Sequence, residues 1–290
     1  MLAKFPVPGL LANLVSALLL AVLCGCGSSS IPFDIAMNEN DTEAVRRLVA
    51  LNPSLARVSD EVGTTALNRA VLVNNLEMVK VLVDAGADIH NESRTHAMPL
   101  SEAAYYGHRE IVEFLLQEGA DVDRQPTNIS SHGSGTALHE AALGAKPDIV
   151  ELLVNHGADA NAPDNRDGAT PLLSAISPEP QSADRAATVE ILLSSGADPD
   201  VENTNGYYYF SPLGGALKFS ISYTKRPISK DCRIAEQMRE IAECLIRHGA
   251  RKEVRLSEPQ AKHFFSNFGE EYVRQVFEDY GVTITILPRQ

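Results

Sequence analysis

Tryptophan is absent from this chain, and its 290 residues include only four cysteines. So few cysteines cannot staple a scaffold. Stability must therefore come from a buried apolar core, and the length suffices for one elongated domain or two compact ones. Positive charge is also scarce: 25 Lys and Arg face 38 Asp and Glu, a net charge of −13. Phosphate contacts need clustered cations, so nucleic-acid binding is excluded and a basic partner is permitted. Catalytic signatures are lacking too. There is no phosphate-cradling glycine loop, no H-E-x-x-H, no C-x-x-C and no nucleophile elbow. The longest apolar run, "GLLANLVSALLLAVL" at 9–23, falls short of the roughly 20 residues that span a bilayer.

Two linked phrases recur instead. "LVDAGADIH" (82–90), "LLQEGADVD" (115–123), "LLVNHGADAN" (152–161), "LLSSGADPD" (192–200) and "LIRHGARKE" (245–253) share one pattern. Each follows a copy of another: "GTTALNRAV", "AMPLSEAA", "GTALHEAA", "GATPLLSAI" and "YFSPLGGAL". The marker glycines are Gly86, Gly119, Gly157, Gly196 and Gly249, at intervals of 33, 38, 39 and 53. Within the unit, Leu76, Val79, Leu82 and Val83 fall at helical spacing. Ile111, Val112, Leu115 and Leu116, and then Ile149, Val150, Leu153 and Val154, repeat that stripe. The stripe must be covered. The glycine after each helix suits a left-handed C-cap, and Thr65, Thr136, Thr170 and Ser211 stand where a hydroxyl can cap the start of the first helix of the unit.

These phrases resemble the ankyrin repeat, whose T-P-L-H-x-A and G-A-D marks recur at about 33 residues. The resemblance implies an all-α solenoid of stacked helix-turn-helix units with short β-hairpin-like finger loops. It covers 33–256: an N-terminal capping repeat and five recognisable repeats. Residues 257–290 have two more helix-length segments, read as a C-terminal helical cap, and a β-branched "VTITILP" that forms a short strand or a packed tail. Insertions interrupt the pattern. The Leu-to-Gly distance is 19 residues in the first three marked repeats, 24 in the fourth and 36 in the fifth.

In the ankyrin family, partners meet the finger turns and the late positions of each first helix. Carried over, this places Tyr105, Tyr106, Leu143, Lys218 and Phe219 on the helix positions, and Tyr207, Tyr208 and Phe210 on the fifth-repeat turn. The resemblance thus implies a protein partner and no enzyme, cofactor or small-molecule substrate. Tyrosine, with a large apolar ring and a polar tip, is favoured at recognition hot spots, although some of these rings can instead pack under the neighbouring insertions.

The other reactive side chains read as structural. His139 of "TALHEAA" holds the family's local hydrogen-bonding position, and His108 lies at a helix junction. His90, His96, His132 and His156 have no metal-ligand spacing, so no metal site is expected. Glu140 and Glu151 fall on helix exteriors. Cys232 and Cys244, twelve residues apart on one helix, would be about 18 Å apart along its axis. A disulfide needs about 7 Å or less, so Cys244 reads as a small core residue and Cys232 is ambiguous.

The chain opens with one cation, Lys4, an apolar run and "LCGC". This resembles the bacterial lipobox, with Leu23 at −3, Gly25 at −1 and Cys26 as acceptor; Cys24 at −2 departs from the usual small residue. The resemblance implies that residues 1–25 are a signal peptide that is removed, that Cys26 carries lipid and that 26–32 are a flexible tether. Several acyl chains at about 0.8 kcal/mol per buried methylene anchor stably. Gly27 lacks the retaining Asp, which points to the outer membrane, periplasmic face. The alternatives are inner-membrane anchoring, a cleaved soluble periplasmic protein and an uncleaved membrane helix. The expectation is a lipid-anchored, periplasm-facing protein-binding module. It competes with an immunity-type inhibitor of a toxin, a scaffold for an envelope enzyme, and, in another class, an enzyme with its site in the 219–230 insertion of the fifth repeat.

Overall fold

All five marker glycines stand where an L side chain would be strained, with φ of +89° at Gly86, +87° at Gly119, +90° at Gly157 and Gly196, and +89° at Gly249. Each ends its helix by turning the chain left-handed and lets the next backbone N–H reach back, as Ala87 reaches Leu82 at 2.9 Å. The computed structural model describes residues 31–61, 63–92, 98–127, 135–177, 182, 184–201, 211–224 and 231–287. They fall into two compact units, one ending at Thr95 and the other beginning at His96.

The first unit contains α1 (Ile31–Asn38), α2 (Thr42–Leu51), a 3-10 turn (Pro53–Arg57), α3 (Ala66–Leu72) and α4 (Leu76–Asp84). Asp41 caps α2 by accepting from Ala44 N–H at 3.0 Å. Thr65 caps α3 through Asn68 N–H at 3.1 Å, and Asn75 caps α4 through Met78 N–H at 2.9 Å. Phe33, Val45, Val49, Leu67, Val71, Met78, Val79 and Leu82 are buried together. A bridge between Ser59 and Thr65 makes the finger a minimal antiparallel hairpin. Arg57 braces the unit, its Nε donating to Gly86 O at 2.8 Å.

The second unit continues the helix pairs: α5 (Pro99–Tyr106) with α6 (Arg109–Gln117), α7 (Ala137–Leu143) with α8 (Pro147–Asn155), α9 (Pro171–Ile176) with α10 (Arg185–Ser194), and α11 (Pro212–Thr224) with α12 (Asp231–Arg247). The first helices pack in one row, α5 on α7, α7 on α9 and α9 on α11; the second helices pack in another, α6 on α8, α8 on α10 and α10 on α12. Between them lie Ile111, Val112, Leu115, Leu138, Ile149, Val150, Leu153, Leu172, Val189 and Leu192. Leu116 and Val154 lie at the margin of their stripes, half-buried, and Leu152 is buried in place of Val154.

The G-A-D phrase explains itself here. Its aspartate takes the N–H two residues on, Asp121 from Asp123 at 3.1 Å, Asp159 from Asn161 at 2.8 Å and Asp198 from Asp200 at 2.9 Å. That second residue in turn accepts from the following repeat: Asp123 from Asp159 N–H, Asn161 from Asp198 N–H and Asp200 from Arg251 N–H. The recurring acids are thus rungs of a hydrogen-bonded ladder along the turns. Such bonds contribute about 1 kcal/mol each.

One capping expectation is corrected, and of the two readings of the C-terminal tail the strand holds. The Thr170 hydroxyl, buried before α9, makes no hydrogen bond. The C-terminal tail is a strand: β1 (Glu253–Ser257) pairs in parallel with β2 (Thr283–Leu287), Glu253 opposite Thr283. Between them run α13 (Glu258–Phe268) and α14 (Glu270–Asp279), held by Phe264 against Phe277 at 6.3 Å between ring centres. The fold is mostly helical, with this one small sheet among the described residues.

Candidate functional site

The first-helix row ends in side chains that the core does not use. At the C-terminus of α5, Tyr105 and Tyr106 meet edge to face, ring centres 5.2 Å apart at 88°. Tyr106 also stacks on His108 at 5.7 Å and 17°, and it stays 48% exposed. Desolvation, and then the Glu102 charge, push its phenol pKa up, so it remains a neutral donor and acceptor. Two rings and an imidazole locking one another form a rigid apolar edge with a polar tip. Leu143, half-buried at the end of α7, lies beside it, because Gly144 lets α7 approach the Tyr105 carbonyl.

Lys218 and Phe219 occupy the matching register of α11, two helices further along the row. Lys218 Nζ sits 5.7 Å from the Phe219 ring centre, and burial lowers its pKa. The structure therefore joins Tyr105, Tyr106 and Leu143 into one edge and sets Lys218 and Phe219 apart from it on the same row. Tyr207, Tyr208 and Phe210 lie outside the described residues, as does Cys26.

The same register in the first unit was overlooked. Leu72 and Val73 follow "GTTALNRAV" as Tyr105 and Tyr106 follow "AMPLSEAA", and they are 40% and 52% exposed. Aligning the phrases would have found them.

Glu140 is a correction. Expected on a helix exterior, it is half-buried. Burial, reinforced by the Asp164 charge, raises its carboxyl pKa to about 7. Asp164 is itself committed to the finger, its Oδ1 accepting from Asp167, Gly168 and Ala169 N–H at 2.8–3.1 Å. His139 behaves as expected of a structural histidine. Its Nε2 donates to Ala169 O at 2.9 Å while Nδ1 accepts from Thr136 N–H at 3.1 Å. Burial lowers its pKa, so the neutral ring is held in one tautomer.

A second cluster escaped the sequence reading. On the second-helix row, Cys244 Sγ donates to Glu190 Oε2 at 3.0 Å and His248 Nε2 lies 2.9 Å from Glu190 Oε1. The exposed Arg247 also reaches Oε2, at 3.3 Å. Cys244 is buried as expected, but its thiol turns to the carboxylate instead of into the core, and burial with that contact raises its pKa to about 12. The signal available in advance was the four-residue spacing of Cys244 and His248, which puts both on one helix face.

A family model described as "Ankyrin repeats (3 copies)" matches residues 33–126 and 100–203. A probable E3 ubiquitin-protein ligase of rice, XBOS32, is 34% identical over 120 residues, 41% of this chain and 23% of that protein. Protein phosphatase 1 regulatory subunit 27 of mouse is 38% identical over 87 residues, 30% of this chain and 56% of that protein. The chain thus spans from about a quarter to just over half the length of these curated relatives. Among solved structures, an ankyrin repeat domain of Acinetobacter baumannii AYE is 27% identical, covering 76% of this chain and 98% of that one with a TM-score of 0.58. The ankyrin repeat domain of Bcl-3, 24% identical over 77% of this chain and 88% of that one, has a TM-score of 0.57 and speaks for the fold alone.

Proposed function

The chain belongs to the ankyrin-repeat family, and from that premise we propose that it is a lipid-anchored, periplasm-facing module that binds another folded protein through its first-helix row and finger loops. The Tyr105–Tyr106–His108 edge, with Tyr106 exposed and Tyr105, His108 and Leu143 half-buried on packed helices, carries this reading. Rings already fixed by their neighbours lose little freedom on association, so contact energy is not spent on ordering. The Glu102 charge acts on Tyr106, and the chain as a whole is acidic, which suits a partner with basic side chains. The net charge of −13 also favours the second reading, an immunity-type inhibitor of a basic toxin. A scaffold for an envelope enzyme would use the same surface. The rice ligase matches over 23% of its length, so its activity is not carried over.

The lipid anchor rests on the sequence around Cys26 and on the leader-like segment before it. Full-length protein should fractionate with membranes and a Cys26→Ser variant should not; a wild type that stays soluble rejects the anchor. For the binding role, tagged full-length protein is used for affinity capture from detergent-solubilised envelopes, beside a Tyr105→Ala/Tyr106→Ala variant. A basic protein held by the wild type should bind the variant at least about 30-fold more weakly, the cost of truncating one hot-spot ring. Equal retention by a folded variant moves the binding surface elsewhere.

A further inference from the structure

We infer that Glu190, Cys244 and His248 form a three-ligand site for a borderline divalent cation, zinc(II) above all, tying the second helix of the fourth repeat to that of the fifth. A sulfur, an imidazole nitrogen and a carboxylate oxygen, one from each residue, all lie within 4.8 Å of one another. In a tetrahedral zinc site with bonds of about 2.0–2.3 Å the ligand atoms stand roughly 3.3–3.6 Å apart. The contacts at 3.0 and 2.9 Å lie just inside that spacing, and side-chain rotations of the three residues would bring their donor atoms to it.

The donor chemistry narrows the ion. Thiolate and imidazole select zinc and its softer neighbours, whereas magnesium and calcium take oxygen ligands. Cys244 and His248, four residues apart, project from one face at the end of α12, and Glu190 faces them from α10. Their positions are thus set by helix packing, not by a loop. His248 and Glu190 are partly open to solvent, which gives the ion a way in and leaves the fourth position to water.

Without metal the same atoms form a hydrogen-bonded chain, thiol to carboxylate to imidazole. Metal binding replaces it. The Cys244 S–H bond breaks as the S–metal bond forms, and its proton passes to solvent. His248 ligates through Nε2 as a neutral ring, the proton that Nε2 had donated to Glu190 moving to Nδ1 by way of solvent. Arg247, exposed and held to Glu190 at 3.3 Å, swings out to water. The ion takes over the neutralising role of the guanidinium and cross-links α10 to α12.

The test uses full-length protein in detergent, freed of metal with a chelator and then titrated with cobalt(II) and zinc(II). Cobalt should give a near-ultraviolet thiolate-to-metal charge-transfer band at one equivalent, and zinc should displace it. Cys244→Ser should abolish the band. Cys244→Ser and His248→Ala should each weaken zinc binding by more than about 100-fold, the upper end of what even outer-shell changes cost. Cys232→Ser should change neither. If Cys244→Ser does not fold, His248→Ala decides alone. A folded wild type with no band, or variants that bind zinc as the wild type does, overturns the site.

Discussion

A methyl group on Gly144 would lie 2.4 Å from the carbonyl oxygen of Tyr105. That approach brings the end of α7 against the end of α5, setting Leu143 beside the tyrosine edge. Gly144 itself is helical, with φ of −69°, so alanine would fit its backbone and fail only for want of space.

Gly144→Ala should therefore destabilise by about 1–3 kcal/mol through overpacking and should weaken partner capture together with stability. Thermal unfolding measures the first. A variant as stable as the wild type would mean that α7 can move away at no cost.

His139 joins Thr136 to the Ala169 carbonyl of the following finger. His139→Ala leaves the Thr136 N–H without its partner, a loss of about 1–3 kcal/mol. It also takes one of two hydrogen bonds from the Ala169 carbonyl, which keeps the Asp164 N–H at 2.8 Å, and empties the space of a buried ring. Denaturant unfolding should show a drop of at least about 2 kcal/mol, with hydrogen exchange rising first at Ala169 and Thr136.

Arg185, 1% exposed, opens α10 and donates through Nη1 to Ala175 O at 2.7 Å. Its charge is unfavourable at its own helix start but favourable at the carbonyl end of the short α9. Arg185→Met keeps most of the apolar stem and removes this charged hydrogen bond, worth about 1.5–3 kcal/mol. Unfolding at neutral pH should register that loss, and Arg185→Lys should recover only part of it.

Glu140 predicts a pH dependence. Its folded pKa of about 7 stands above the ordinary 4.5, so between these values the folded state binds the extra proton. Stability from this group is full below about pH 4.5 and is lost as pH rises to 7, by up to about 3 kcal/mol at 1.36 kcal/mol per unit. His139, with a lowered pKa, works in the opposite direction, its contribution being lost as pH falls below 6.5. Glu140→Gln should flatten the decline toward pH 7 and leave the histidine limb. An unchanged profile would mean that the carboxylate is already ionised in the fold at low pH.

Much of this could be read from local signals. The marker glycines announce their left-handed φ because only glycine takes it without strain, and the capping roles of Thr65 and His139 follow from positions in one phrase. The count along that phrase that places Tyr105, Tyr106, Leu143, Lys218 and Phe219 also reaches Leu72 and Val73. The buried stripes were right in their centres, at Val79, Leu82, Ile111, Val112, Leu115, Ile149, Val150 and Leu153. They erred at margins such as Leu116 and Val154, where burial depends on the neighbouring helix.

The sequence by itself determined the repeat, its period and its helix stops, because each depends on a few consecutive residues and on backbone preference. Only the tertiary structure decided what becomes of the polar side chains between repeats. Glu140 acquires its raised pKa from burial between the repeats and then from Asp164, 24 positions away. Cys244 and His248 meet Glu190 across more than 50, and β1 finds β2 only after two helices intervene. The physical reason is the same in all three. Burial and charge act through space, and the distances that set them are fixed by how helices stack, which no short stretch of the chain encodes.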